Sequence, residues 1–510
     1  MNIALIKSWL LITVGLSLAM ASRAGALPAQ SKPNIVVFTV DDMDFTSVNA
    51  FGNPMAGLTP NIDRLVAEGT NFPNAHVSTP ACAPCRQSMM TGKHPHANGS
   101  YGFVRIDPDV VSLTDLLREQ GYFAGSIGKG GAYGGFEWDA FVDFTPDYGR
   151  NPQGYVEAAR VMLDKAAQKD GPFYLGINTT DPHRPFAASD QERNYIEYRR
   201  RNHPDWDNPP APVFPAFTTA EDAYVIPYVP DLGPVRRELA EYYTSVRRAD
   251  HTLGLVLDLL DKRGLLDDTL FVFFSDHGAS LPMGKNNLFK HSTQTPLILR
   301  WPGHVPGATS RDAPMVSTLD LMPTLLEVAN APTPDDLNGR TLWPLIRGDD
   351  QTDRDAVLTT NNFKQPGRIV YPSRAVTTPR YSYIVNFWAD GRRKDTENMQ
   401  GRSMQAIEKA AEQTGREDLE AYVEFARYRR VGDELIREEI YDLSRDPWSR
   451  RNLIDDPEYA KVKDDLRKKM EARMKASNDP LLDAFLAGGS FPKWWDDPSQ
   501  MRARNFKPIH

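Results

Sequence analysis

Four short apolar segments, each followed closely by polar residues, constrain the fold of this chain more than any other feature. Continuous apolar runs of this kind, rich in β-branched residues, are typical of strands buried on both faces of a sheet. The segments are Asn34–Val40 (NIVVFTV), Gly121–Ile127 (GYFAGSI), Phe173–Asn178 (FYLGIN) and Thr269–Phe274 (TLFVFF). Helical patterns lie between them, at Thr59–Phe72, Val111–Gln120 and Val235–Arg263. The alternation predicts an α/β fold with a mostly parallel sheet covered by helices on both sides.

Charged and imidazole side chains follow each predicted strand. In an open parallel sheet, ligands bind beyond the carboxyl ends of the strands. The residues at these ends are Asp41 and Asp42, Lys129, His183, and Asp276 with His277. We therefore expect them to meet at one edge of the sheet and to form a functional site.

The segment from Thr79 to Gly92 (TPACAPCRQSMMTG) carries a further candidate group. Pro84 favours the first turn of a helix, which places Cys82 near the free amides and positive dipole end of that helix, where an anion is stabilised. Arg86 adds a fixed fork of donors. Cys82 and Cys85 are the only cysteines, and as a C-x-x-C pair they also permit a disulfide or a redox function.

The pattern Cys82-x-Pro84-x-Arg86-x-x-x-x-Thr91-Gly92 resembles the signature of the type I sulfatases. The resemblance implies that residue 82 is oxidised to formylglycine (3-oxoalanine), either by a formylglycine-generating enzyme or by an anaerobic sulfatase-maturating enzyme. Cys85 departs from the family, which usually has Ser or Ala there, and a disulfide between the two cysteines would block the conversion. Other segments, among them DPHRPF and EEIYDLSRDPWSRRNL, are similar to the heparan N-sulfatase (sulfamidase) branch.

Residue roles follow from the resemblance. The implied catalytic residues are Cys82, Arg86, Lys129, His183 and Lys285. The implied metal site holds Ca²⁺, or less readily Mg²⁺, between Asp41, Asp42, residue 82, Asp276 and His277, the last of which stands where many sulfatases have Asn. Hard carboxylate oxygens suit such cations, and three carboxylates beside a sulfate need a cation among them. The implied mechanism is a two-step displacement in which the hydrated aldehyde attacks sulfur and its second hydroxyl then expels sulfate.

One position departs from the family in a way that affects catalysis. Most relatives have a histidine two or three residues after the equivalent of Lys129, whereas this sequence continues Gly130-Gly131-Ala132-Tyr133. Either another base serves, with His96 or His277 as candidates, or sulfate release is slower, or the glycines make room for an unusual substrate. His96 and Arg184 are also candidate substrate-binding residues.

The ends of the chain suggest its organisation and location. Residues 1–26 resemble a signal peptide, with Lys7 before a short apolar run and an Ala24-Gly25-Ala26 cleavage site. No later segment reads as transmembrane, so we expect a periplasmic or secreted protein. Residues 31–350 are predicted to form an alkaline-phosphatase-like catalytic domain. Residues 355–500 are predicted to form a smaller α+β subdomain with an antiparallel sheet.

The mixed charge, with 59 basic and 67 acidic residues, contains no basic block of the kind that binds nucleic acid. The leading hypothesis is a secreted sulfatase that removes O-sulfate or N-sulfate from a sulfated saccharide. Two alternatives stay open: a phosphonate or phosphate ester hydrolase of the same superfamily, and a glycan-binding relative with impaired turnover.

Overall fold

The four predicted strands lie next to one another at the centre of an eight-stranded sheet, in the computed structural model that describes residues 32–129, 135–142, 150–202, 214–362 and 371–488. The sheet order is β5-β4-β6-β1-β7-β8-β2-β9. The described strands are β1 Asn34–Val40, β2 Thr70–Asn71, β3 Ala75–His76, β4 Phe123–Gly128, β5 Ala140–Val142, β6 Phe173–Asn178, β7 Thr269–Ser275, β8 Ile298–Arg300, β9 Thr309–Ser310, β10 Val316–Ser317, β11 Val357–Asn361, β12 Ser373–Thr377, β13 Tyr381–Asn386, β14 Arg430–Val431, β15 Glu434–Leu435 and β16 Glu438–Asp442.

Strand β1 pairs in parallel with β6 on one side and with β7 on the other, and β4 pairs in parallel with β6. Both faces of β1 are buried: Val36 and Phe38 belong to one apolar core, while Ile35 and Val37 belong to a second on the opposite face. This arrangement confirms the predicted mostly parallel sheet. The carboxyl ends of β1, β4, β6 and β7 therefore share one edge.

Helices cover both faces of the sheet. The described helices are α1 Pro60–Glu68, α2 Cys82–Thr91, α3 Pro95–Asn98, α4 Leu113–Glu119, α5 Pro152–Ala166, α6 Asp190–Asn202, α7 Gly233–Lys262, α8 Lys290–Thr293, α9 Leu321–Val328, α10 Trp343–Arg347, α11 Arg402–Thr414, α12 Glu417–Tyr428, α13 Ala460–Ala476 and α14 Leu482–Leu486. The long helix α7 packs its apolar side against α5 and α1, and α2 packs on the other face against α9. No helix among the described residues has the length and apolar character needed to cross a bilayer.

A separate antiparallel sheet, in the order β11-β12-β13-β16, lies in the C-terminal part of the chain. The charged helix α13 packs on it through Leu466, Met470 and Met474, so only its remaining faces are solvated. The predicted boundary between residues 350 and 355 falls in the connection between α10 and β11. Residues from Pro33 onward form one compact unit, and the division into two domains stays a prediction. The predicted signal peptide lies outside the described residues.

Candidate active site

The site lies at the shared carboxyl edge of the central strands, where α2 begins. Asp41 and Asp42 follow β1, Lys129 follows β4 and Asp276 follows β7, as the sequence pattern indicates. Helix α2 starts at Cys82, and Pro84 falls in its first turn, where a missing N–H leaves no helical hydrogen bond unmade. The expected convergence of polar strand ends is therefore present, and it surrounds residue 82.

Cys82 is buried and in contact with three of these residues. Its Sγ lies 3.4 Å from Asp41 Oδ1, 3.3 Å from His277 Nε2 and 3.8 Å from Lys129 Nζ. Burial, followed by the charge of Asp41, raises the pKa of the Cys82 thiol well above its usual value. Burial does the same for the pKa of Cys85, and both cysteines are free. Reactive redox cysteines need a lowered pKa, so this environment does not favour the redox alternative.

Arg86 and Lys129 hold the carboxylates beside residue 82 in place. The Arg86 guanidinium donates from Nε to Asp276 Oδ2 at 3.0 Å and from Nη2 to Asp41 Oδ2 at 3.2 Å. Lys129 Nζ lies 2.7 Å from the same Oδ2 of Asp41. Although burial acts to raise it, the charges of Lys129, His183 and Arg86 hold the pKa of Asp41 well below its usual range. Asp41 is therefore an anion fixed between cations.

The pKa of Asp42 is shifted in the opposite direction to that of Asp41. It adopts a left-handed backbone conformation, with φ 68°, and its side chain is fully buried. Burial raises the pKa of Asp42 well above its usual value in spite of Lys285, whose Nζ donates to Oδ1 at 2.9 Å. Its Oδ2 is buried and has no hydrogen-bond partner among the described residues. A buried carboxylate oxygen in this condition calls for a cation or a donor.

A group of four residues could hold a metal ion at this point. Ligand atoms of Asp41, Asp42, Cys82 and His277 all lie within 4.8 Å of one another. Asp276, also predicted as a ligand, lies beside the group, where its Oδ1 accepts from the Asp42 backbone N–H at 3.2 Å and its Oδ2 accepts from Arg86. The two aspartates and the orphaned Asp42 oxygen fit a divalent cation that prefers oxygen ligands, while the Cys82 sulfur and the His277 nitrogen are softer ligands.

The predicted acid, His183, faces a carboxylate that the sequence did not suggest. Its Nδ1 lies 2.5 Å from the carbonyl oxygen of Arg184, which leaves Nε2 to face the site, 3.3 Å from Glu397 Oε1. Lys285 Nζ lies 3.2 Å from the other oxygen of Glu397. Burial and the charges of Lys129 and Lys285 lower the pKa of His183 to about 3, while Glu397 acts to raise it.

Buried ion pairs fix the loop that carries His183. Asp181 accepts from Arg248 Nε at 2.6 Å and from Arg150 Nη1 at 3.1 Å. Arg248 also donates to Glu192 at 2.8 Å. Because these groups are buried, the network has strong geometric requirements and holds the loop in one position.

Two further predicted residues lie in other surroundings. Arg184 pairs with Glu238 and donates to the carbonyl of Ser280, as a part of the packing against α7. His96 stacks on His94 and lies 2.9 Å from the carbonyl oxygen of Ser477. None of the contacts described for these two residues involves residue 82. The glycines near Gly131 lie outside the described residues.

Sequence reasoning missed two residues of the site. Asn178 accepts from Arg86 Nη1 at 2.6 Å, and its position at the end of β6 was a usable signal. Glu397 gave no such signal, because it follows no apolar segment and stands more than a hundred positions from the other site residues. Only the packing of the C-terminal part against the central sheet brings it to His183.

Comparisons with known proteins agree with this geometry. A family model described as Sulfatase matches residues 33–331, and a second described as N-sulphoglucosamine sulphohydrolase, C-terminal, matches residues 282–396. The chain is 30% identical over 494 residues to human N-sulphoglucosamine sulphohydrolase, covering 88% of this chain and 91% of that protein. It is 28% identical to an ulvan-active sulfatase of Formosa agariphila, covering 92% and 84%.

Solved structures share the fold. One, in complex with its substrate D-glucosamine-2-N,6-O-disulfate, superposes with a TM-score of 0.65 at 18% identity, covering 89% of this chain and 99% of that one. The phosphonate monoester hydrolase of Agrobacterium radiobacter superposes with a TM-score of 0.59 at 18% identity, covering 87% and 96%. The scaffold is therefore common to sulfate and phosphonate chemistry, and the residues of the site must distinguish them.

Proposed function

This chain belongs to the sulfatase family and is a sulfuric ester hydrolase; on that premise we propose that it releases sulfate from a sulfated carbohydrate, with residue 82 as the nucleophile after oxidation to formylglycine. The observation that carries the proposal is the position of Cys82 at the start of a buried helix, in contact with Asp41, Lys129 and His277. A thiol whose pKa is raised by burial is a poor nucleophile in its own right. The surroundings suit an oxygen nucleophile better.

The cations around residue 82 suit the charge of a sulfuryl group. Lys129, Arg86 and Lys285 are all close to the nucleophile or to its neighbouring carboxylates. Positive charge that is already oriented stabilises charge developing on sulfate oxygens in the transition state. His183 Nε2 faces the same space and is the proposed proton donor to the leaving atom. Because Nδ1 donates to the Arg184 carbonyl, Nε2 carries a proton only in the imidazolium form, which the charge of Glu397 favours and the charges of Lys129 and Lys285 oppose.

A calcium ion fits the carboxylates of Asp41 and Asp42 and the side chain of residue 82, with Asp276 beside them, whereas the imidazole of His277 is a softer ligand than calcium usually takes. When bound, the ion would polarise the sulfate and the hydroxyl of residue 82 as a Lewis acid. The residues themselves orient the nucleophile. The negatively charged Asp41 and the positively charged Lys129 both contact residue 82, and Arg86 holds Asp41 in place through a hydrogen bond.

Of the two candidates for the base near residue 82, the contacts favour His277. Its Nε2 lies 3.3 Å from Sγ, whereas His96 contacts His94 and Ser477. We therefore propose that His277 takes the proton during sulfate release, and that Asp41, Asp42 and Asp276 supply the metal's carboxylate ligands.

The proposed substrate is a sulfated saccharide. Human N-sulphoglucosamine sulphohydrolase, the ulvan-active sulfatase and the structure bound to D-glucosamine-2-N,6-O-disulfate support this class by their names. The match of residues 282–396 to the C-terminal model makes N-sulfated glucosamine the first saccharide to test.

The deciding experiment compares Cys82→Ala with Cys85→Ala, in protein co-produced with a maturation enzyme. Sulfate release should be abolished by Cys82→Ala and retained by Cys85→Ala, since both changes remove a buried thiol from the same helix but only one removes the nucleophile. Mass spectrometry of the peptide spanning residue 82 should find sulfur replaced by oxygen. Full activity of Cys82→Ala, or an intact thiol in active protein, would refute the proposal.

A panel of N- and O-sulfated saccharides, with aryl sulfate and aryl phosphate esters, then separates the alternatives. A sulfatase prefers the sulfates. Faster turnover of the phosphate ester would indicate a phosphoryl hydrolase, and saccharide binding without sulfate release from converted protein would indicate a glycan-binding relative.

We also propose that the protein is exported to the periplasm or secreted, on the basis of residues 1–26, and that a formylglycine-generating or anaerobic maturating enzyme is its partner. N-terminal sequencing of the mature protein tests the first statement. Production with and without the maturation enzyme tests the second, because activity should depend on it.

A further inference from the structure

Glu397 is held at the opening of the site by buried neighbours. It begins a short 3₁₀ turn, Glu397–Met399, whose other residues are buried. Asn398 donates from its side chain to the carbonyl of Leu281 at 3.2 Å and accepts from Thr396 at 2.6 Å. The Glu397 side chain itself is 40% exposed. The backbone is therefore fixed, while the carboxylate remains partly accessible to solvent.

The carboxylate contacts the two groups that flank the scissile bond in the proposed reaction. Oε1 lies 3.3 Å from His183 Nε2, the atom that would protonate the leaving group, and Oε2 lies 3.2 Å from Lys285 Nζ, which would bind the sulfate. Its ligand oxygen also lies within 4.8 Å of those of Asp42 and His183. Glu397 is thus next to the leaving group of the substrate.

An ionised carboxylate can accept hydrogen bonds but cannot donate them. Burial acts to raise the pKa of Glu397, but the charge of Lys285 at 3.2 Å lowers it below its usual value, so the carboxylate is ionised at neutral pH. A negative group beside a sulfate-binding site opposes any second anion and is compatible only with a donor. In a saccharide, the donors next to a sulfate are free hydroxyl and amino groups.

We propose that Glu397 determines specificity for the sugar: it accepts a hydrogen bond from a free hydroxyl or amino group next to the scissile sulfate, and it excludes saccharides with a second sulfate at that position. The inference rests on the proposed function and narrows the substrate to saccharides with an unsulfated donor next to the reacting group. The preference for an unsulfated neighbour arises from the charge of Glu397 as much as from the shape of the site. A glutamine at this position, being a neutral amide that both donates and accepts, would tolerate a free hydroxyl, a free amino group or a second sulfate.

The test measures kcat/KM of the wild type, Glu397→Gln and the control Glu412→Gln on three substrates. These are the monosulfated saccharide that the wild type hydrolyses fastest, its counterpart with a second sulfate on the adjacent atom, and 4-nitrophenyl sulfate, which has no adjacent donor. Glu412 is exposed on α11, so Glu412→Gln removes one negative charge, as Glu397→Gln does, but away from the site.

Glu397→Gln should lower kcat/KM for the monosulfated saccharide by about 10- to 100-fold, the usual worth of a hydrogen bond to a charged group. That loss should exceed the loss on 4-nitrophenyl sulfate by at least about tenfold, and the preference for the monosulfated over the disulfated saccharide should shrink. Glu412→Gln should resemble the wild type.

Equal losses on the monosulfated and the disulfated saccharide would overturn the inference, because Glu397 would then act only through His183 or Lys285. Unchanged rates would overturn it as well. If the wild type hydrolyses 4-nitrophenyl sulfate but no saccharide of the panel, the proposed function itself fails, and the inference fails with it.

Discussion

Replacing Arg248 by methionine is expected to destabilise the protein strongly and to disturb the loop that carries His183. The Arg248 side chain is fully buried and donates three hydrogen bonds, two to Asp181 and one to Glu192. Methionine fills a similar volume, but it removes the positive charge and the hydrogen bonds that Arg248 gives to the buried carboxylates of Asp181 and Glu192. Asp181 keeps Arg150, whereas Glu192 keeps only the backbone N–H of Ala188 among its described acceptor contacts. Removing one partner of a buried ion pair costs about 3–5 kcal/mol.

The free energy of unfolding, from guanidinium denaturation at pH 7, measures this cost. The matched control is Arg236→Met on the same helix, where the Arg236 pair with Asp231 is solvent-exposed and screened, so its loss should change the free energy of unfolding little. The triple variant Arg248→Met, Asp181→Asn and Glu192→Gln should recover part of the loss, since it no longer buries unpaired charge. A change within about 1 kcal/mol for Arg248→Met, or no recovery in the triple variant, would refute the reasoning.

Two further predictions concern the metal and the base. Removal of divalent metal by a chelator should abolish activity and lower the thermal unfolding midpoint, because Lys285 pairs with Oδ1 of the buried Asp42 and Oδ2 has no partner among the described residues. Calcium at a hundredfold excess over its Kd should restore about 3 kcal/mol. An unchanged midpoint and rate after chelation would contradict the metal site. His277→Asn, which introduces the residue that many sulfatases have there, should slow turnover at unchanged metal content if His277 is the base. A rate equal to the wild type would assign the proton to another group.

Local sequence patterns were sufficient for the fold because the relevant signals are short-range. A continuous apolar run such as Asn34–Val40 must be buried on both faces, and the structure gives that strand the predicted bounds. The amphipathic pattern of Val235–Arg263 appears as α7, Gly233–Lys262. The sequence around Pro84 predicts a helix start there, and α2 begins two residues earlier, at Cys82. Most helix and strand ends differ by one or two residues, as end fraying allows. The helix predicted over Thr59–Phe72 is wrong at its end: α1 stops at Glu68, and Thr70–Asn71 form the short strand β2.

The candidate site could be predicted in part for a related reason. Residues such as Asp41, Lys129 and Asp276 follow parallel strands, so the topology of the sheet alone brings them to one edge. The positions of Arg184 and His96 do not follow from the sheet in this way, because neither residue comes directly after a strand. An arginine in a loop gives the same local signal whether it binds a ligand or a buried glutamate, and the partner Glu238 lies on a helix 54 positions away.

The sequence by itself determined the alternation of buried strands and helices, the residues that follow the strands, and the thiol at the start of α2, because each depends on neighbours within a few positions. Only the tertiary structure decided which charges meet. It placed Glu397 against His183 and Lys285 and, within the part of the chain that it describes, left Oδ2 of Asp42 without a partner. Such contacts join segments over a hundred residues apart, and their geometry depends on how the C-terminal part packs against the sheet, which no local pattern encodes.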